Sequence, residues 1–180
     1  MKISEEKLRE FSEPYYSDKD IMHNMWHIDL VHKWLDKLIY DYKYDVDYNA
    51  LIPALYFHGF IYSDQKVIEQ WLAENGLNHT EIQKIVKIAW ESQRPETPET
   101  FEGMLLHDAH VLEGGKTYTI VKTLITGSVR GQTLEQTLDF MKNNVLNKNK
   151  CYLPETIKLC DEMNDYTVKF YDDLTKGIII

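Results

Sequence analysis

Apolar residues recur along this chain at intervals of three and four, and sustained period-two alternation is missing, so helices are predicted nearly throughout. The clearest stripe is Ile28, Val31, Leu35 and Leu38, one face of a helix that Asp18 or Asp20 can cap and that runs to about Tyr42. A second helix covers roughly Asn49 to Phe60, with its start drawn towards Ile52 because Pro53 suits a first turn. Ser63 or Asp64 opens a third, which stops at Asn75-Gly76. Thr80 and Gln83 have the spacing of a capping box for a helix to about Ser92. The two prolines between Arg94 and Thr100 mark a loop. Further helices are expected over Phe101 to Leu112, from Thr117 to about Ile125 with a break at Gly127 to Gly131, from a Thr133 cap to about Val145, and after Pro154. The pattern predicts an all-α fold, one helical domain over 1–180 with its core at about 18–113 and a C-terminal helical extension at about 117–180.

Composition narrows the partners. An apolar fraction of 43% supports a packed core. A formal net charge of −9 leaves no global positive field, so no nucleic-acid polymer is expected. No run approaches the ~20 apolar residues of a membrane span, so no membrane association is expected. The opening MKISEEKLREF lacks the apolar stretch of a signal peptide. Cys151 and Cys160 suggest neither a disulfide scaffold nor a zinc knuckle, and a reduced, cytoplasmic setting follows.

The chemistry concentrates in three stretches. His23 and His27 are four apart and share a helix face. His58 ends an otherwise apolar run, ALYFHGFIY, where an imidazole needs partners for both nitrogens. Asp108 lies in MLLHDAHVLEGG, and a carboxylate in apolar surroundings calls for a cation or several donors. His107 points about 100° away from Asp108 on helix geometry. Asp108 is therefore the expected ligand, with His107 and His110 as supporting groups or exposed side chains.

These stretches resemble the HD-domain superfamily, all-α metal-dependent phosphohydrolases with an H…HD…D ligand order. The matching residues are His27 in HIDLV, His58 in YFHGFIYSD and Asp108 in HDAHVLEG, at intervals of 31 and 50 positions (58 − 27 and 108 − 58). The resemblance covers roughly Asp18 to Glu113. It implies an HD-like bundle in which His27, His58 and Asp108 hold one divalent metal ion (Mn, Fe, Mg, Ni or Zn). The family's acid after the second His is Gly59 here, so a two-metal site is not expected. Glu91, or alternatively Glu69, is the candidate replacement.

The activity so implied is metal-assisted hydrolysis of a small phosphorylated compound, such as a nucleotide or another phosphate monoester. His23 would orient the substrate or shuttle a proton. Arg130, among small and hydroxyl residues, and Lys116, after Gly114-Gly115, are the leading phosphate donors. Lys66, Arg94 and Lys122 are also available, and Trp26 and Trp90 adjoin site candidates. The competing class is a non-catalytic small-molecule-binding or interaction domain that lost its acid at Gly59. A homodimer through the C-terminal helices is an open alternative.

Overall fold

A computed structural model describes residues 2–178. Among them are nine helices and no strand: α1 (Glu5–Ser17), α2 (Met25–Tyr42), α3 (Tyr48–Phe57), α4 (Ile61–Glu74), α5 (His79–Glu91), α6 (Phe101–Leu112), α7 (Tyr118–Val129), α8 (Leu134–Asn144) and α9 (Pro154–Ile178). The all-α expectation holds. No helix among the described residues is long and apolar enough to cross a membrane.

The stripe Ile28, Val31, Leu35 and Leu38 is buried as the periodicity requires, and seats α2 against α6. Helix α3 is buried nearly all round and packs on α5. Residues of α1 to α6 share the main core, which also takes in Leu8 and Tyr16 from α1 and Leu153 before α9. The core therefore begins earlier in the chain than position 18. Helices α7 and α8 pack together around a smaller cluster of Ile120, Leu138, Met141 and Val145, joined by Phe170, Tyr171 and Leu174 of α9.

Helix ends differ from expectation where two plausible caps compete. The side chain of Asn24, not an aspartate upstream, caps α2; Asp20 instead accepts from the Met22 N–H and His23 Nδ1 at 2.8 Å, folding Asp20 to His23 into a turn. Asp47 caps α3, which leaves Pro53 inside the helix. The capping box of α5 is Asn78 with Glu81, two residues before Thr80 and Gln83. Helix α4 starts at Ile61 and kinks at Asp64, where φ is −126°. Gly127 does not break α7; the glycine answers to packing instead, since a Cβ there would lie 2.2 Å from the Thr137 side chain of α8. Thr133 with Gln136 opens α8, as its sequence suggests.

Asp108 is a fastening of the fold. Its carboxylate is fully buried and accepts from the backbone N–H of Tyr152 at 3.0 Å, the N–H of Leu153 at 2.8 Å and Thr156 Oγ1 at 2.5 Å. Two are backbone donors just ahead of α9 and the third is a hydroxyl in its first turn, so a side chain of α6 fastens the start of a helix more than 40 residues downstream. Asp108→Asn keeps the volume but weakens all three bonds. It should lower unfolding stability by about 2–3 kcal/mol, measured as a drop in urea midpoint, with divalent-ion binding unchanged.

Candidate metal and phosphate site

Three imidazoles meet where α2 begins, α3 ends and α6 nears its C-terminus. They belong to His27, His58 and His110, and one ring nitrogen of each lies within 4.8 Å of the others. Ring centroids are 5.1 Å apart for His27 and His58, 5.2 Å for His27 and His110, and 4.8 Å for His58 and His110. His27 and His58 are buried, and His110 is partly so.

The outer nitrogen of each ring is already engaged. His58 Nδ1 faces the Leu55 carbonyl at 2.5 Å, His110 Nδ1 faces the Ser92 carbonyl at 3.1 Å, and His27 Nδ1 contacts the Glu113 carboxylate. Carbonyls and carboxylates only accept, so each Nδ1 carries the proton and each Nε2 is left as a lone pair. His27 Nε2 and His58 Nε2 then face each other at 3.0 Å. A proton between them would make one ring an imidazolium. Burial opposes that, pushing His58 down to about 4 and His27 and His110 well below the ordinary value. Facing lone pairs are stabilised by a cation, and Nδ1 bonded to a carbonyl or carboxylate is the usual support of a metal-bound His. The donor set fits a divalent ion.

The expected ligand Asp108 is not in this group. Two residues from His110 on the same helix, it is turned about 200° away and faces α9. His110 takes the third position instead. Glu91 is likewise elsewhere: at the end of α5, it accepts from the N–H groups of Glu99 and Thr100 at 3.2 Å and secures the start of α6. Glu69 accepts from Gln65 and Gln83. Lys116 is exposed, its ammonium 5.8 Å from the Tyr166 ring, and lines neither cleft. Trp26 packs edge-on against Tyr118 and Trp90 lies tilted against Tyr62, both outside the site.

Gly59 has a steric reason. The Tyr16 phenol lies where its side chain would project, with the hydroxyl 2.5 Å from a Cβ built at position 59. That hydroxyl accepts from the Gly59 N–H and donates to the Tyr56 carbonyl, each at 3.0 Å. Lys19 donates to the Gly59 carbonyl at 2.6 Å.

A cleft of about 330 Å³ opens over the imidazoles, walled by Tyr16, Lys19, His23, Arg94 and Lys122. A second, of about 180 Å³, lies along α7 and α8; it shares His23, Arg94 and Lys122 and adds Arg130 and Thr126. Arg130 and His23 are thus brought to the site. The cations Lys19, Arg94, Lys122 and Arg130 meet three acids: Glu113, which is paired with Lys122, Asp20, which is bonded to His23, and Asp64, which acts on Lys19 from the start of α4. An acidic protein therefore carries a locally positive cleft. Glu113 and Lys122 were not singled out as a pair from sequence; the three-residue spacing of His110 and Glu113, one helix face, was the available signal.

No protein-family model and no curated protein matches the chain. Among solved structures it is similar to Bacillus subtilis YpgQ in complex with ADP, with a TM-score of 0.73 and 15% identity over 97% of this chain and 98% of that one. It is similar also to a second Bacillus subtilis YpgQ structure, with a TM-score of 0.71 and 15% identity over 98% of each chain. At this identity the likeness speaks for the fold.

Two measurements probe the site. Gly59→Ala drives a methyl into the Tyr16 ring and should cost about 1–3 kcal/mol, read by denaturant unfolding. In chelator-stripped protein, His58 binds its proton only near pH 4 when folded, against 6.5 unfolded. The unfolded chain then holds more protons between those values, so stability is complete above pH 6.5 and lost towards pH 4. The loss is up to about 1.4 kcal/mol per pH unit for each such ring; urea midpoints that stay flat from pH 7 to 4.5 would contradict it.

Proposed function

We propose that this protein is a metal-dependent hydrolase of a small phosphorylated compound, acting in the cytoplasm. The observation that carries the reading is the convergence of His27, His58 and His110 beneath a cationic cleft. The resemblance to HD-domain phosphohydrolases supports it, with His110 in place of an acid ligand. The ADP complex of the similarly folded YpgQ makes nucleotides the first compounds to try. Free buried thiols at Cys151 and Cys160 suit a reducing compartment.

A divalent ion held by the three imidazoles would supply Lewis-acid charge to a phosphoryl oxygen and acidify water. The chain's own groups do the rest. Lys122 and Arg94 border both clefts and can grip phosphoryl oxygens as charge develops on them; Arg130 holds the far end of the substrate with its forked donors. His23, its Nδ1 tied to Asp20 at 2.8 Å, keeps Nε2 available at the cleft mouth. Burial, with Lys122 nearby, sets its pKa below the ordinary value, so at neutral pH it can accept a proton. Glu113 is a positioning residue that orients His27.

Phosphate release from nucleoside mono-, di- and triphosphates and sugar phosphates, with added divalent ions, tests the reading. Turnover is expected, falling at least about 100-fold in His58→Ala, while Arg130→Ala mainly raises KM. Glu113→Gln should weaken ion binding about 10–100-fold. Silence across the panel, with ADP still bound, would replace the hydrolase by the binding-module reading, which the absence of an acid at Gly59 favours.

A further inference from the structure

The cation site differs in donor chemistry from the His-and-acid set that the family resemblance implies, and the difference bears on which ion it holds. Every carboxylate near the imidazoles is spoken for. The two oxygens of Glu113 contact His27 Nδ1 and Lys122 Nζ. Asp108 is consumed by the start of α9, and Asp20 by His23 and the Met22 N–H. Position 59 offers no side chain, and the Tyr16 hydroxyl that fills the space uses both its donor and an acceptor site on backbone. Among the described residues, the His, Cys, Asp and Glu donors that converge within 4.8 Å of one another are these three imidazoles.

We infer that His27, His58 and His110 form an all-nitrogen site selective for one zinc-, cobalt- or nickel-class ion, which does not retain magnesium, calcium or manganese. Magnesium and calcium demand oxygen ligands, magnesium in a near-octahedral shell that keeps several waters. Manganese also favours carboxylate and water, and stands lowest in the affinity order of the divalent first-row metals. Imidazole suits zinc and nickel, and three His with one open position is an established zinc geometry at Zn–N distances of about 2.0–2.1 Å. Tetrahedral bonds of that length put pairs of nitrogens about 3.3 Å apart; His27 and His58 stand at 3.0 Å, and the His110 nitrogen lies within 4.8 Å of both, so ion binding draws His110 inward. Three uncharged ligands also leave the ion its full double charge, which favours an anion in the open position. The lack of any bridging carboxylate restricts the site to one ion. The selectivity follows from the donors alone; its catalytic use rests on the hydrolase reading.

The test uses full-length, untagged protein stripped with chelator. Each of Zn²⁺, Co²⁺, Ni²⁺, Mn²⁺, Mg²⁺ and Ca²⁺ is titrated by equilibrium dialysis, with Co²⁺ visible spectra and thermal midpoints in parallel. The expected result is one equivalent of Zn²⁺ or Co²⁺ bound at least about 100-fold more tightly than Mn²⁺, with intense Co²⁺ bands of low coordination number. His110→Ala abolishes the bands and Asp108→Asn retains them. His110→Asp, which keeps a ligand if the alanine variant fails to fold, narrows the Zn²⁺ to Mn²⁺ ratio about tenfold. Equal affinity for Mn²⁺ or Mg²⁺, no binding of any ion, or Co²⁺ bands indifferent to His110 would overturn the inference. Selective Zn²⁺ binding without phosphate release would remove the hydrolase reading alone. Phosphate release sustained by Mg²⁺ or Mn²⁺ without Zn²⁺ retention would remove the selectivity alone.

Discussion

Three hydrogen bonds that point away from the centre determine what the centre can be. Because Leu55, Ser92 and Glu113 take the outer nitrogens of His58, His110 and His27, the inner nitrogens have no proton to share. The folded chain thereby builds a knot of mutually repelling lone pairs at the floor of a cationic cleft, a local cost that the surrounding packing must hold in place. Helix ends make it possible. The Leu55 carbonyl lies in the last turn of α3 and the Ser92 carbonyl belongs to the C-cap residue of α5, so acceptors that would otherwise be open at C-termini become the orienting groups.

The helical architecture was readable because core faces impose a 3.6-residue period, and α2 displays it without interruption. Helix α1 was less visible: its buried Leu8, Ser12 and Tyr16 sit among charges and include a serine, which periodicity does not count as apolar. Cap positions misled where several polar residues stand within two or three places of each other, as at Asn78 and Thr80, since local spacing fits both and neighbouring packing decides.

The candidate site was legible in part. His58 announces itself as an imidazole in an apolar run, and His27 by its four-residue spacing from His23. Asp108 announces itself equally well, but its partners are backbone groups of Tyr152 and Leu153, and nothing local distinguishes a carboxylate awaiting a cation from one that caps a distant helix. Gly59 posed the same difficulty in reverse: its bareness answers to Tyr16, 43 residues earlier. Where a residue's reason lies far along the chain, a single sequence gives its burial but not its partner.

Helix α6 carries His110 towards the imidazole cluster and Asp108 towards α9, two positions apart on opposite faces. Adding or deleting one residue between them would rotate one relative to the other by about 100°, and no hinge within the helix could absorb the turn. Across related chains, this stretch should therefore drift in side-chain identity yet keep a fixed length, and insertions should gather in the loops on either side of it.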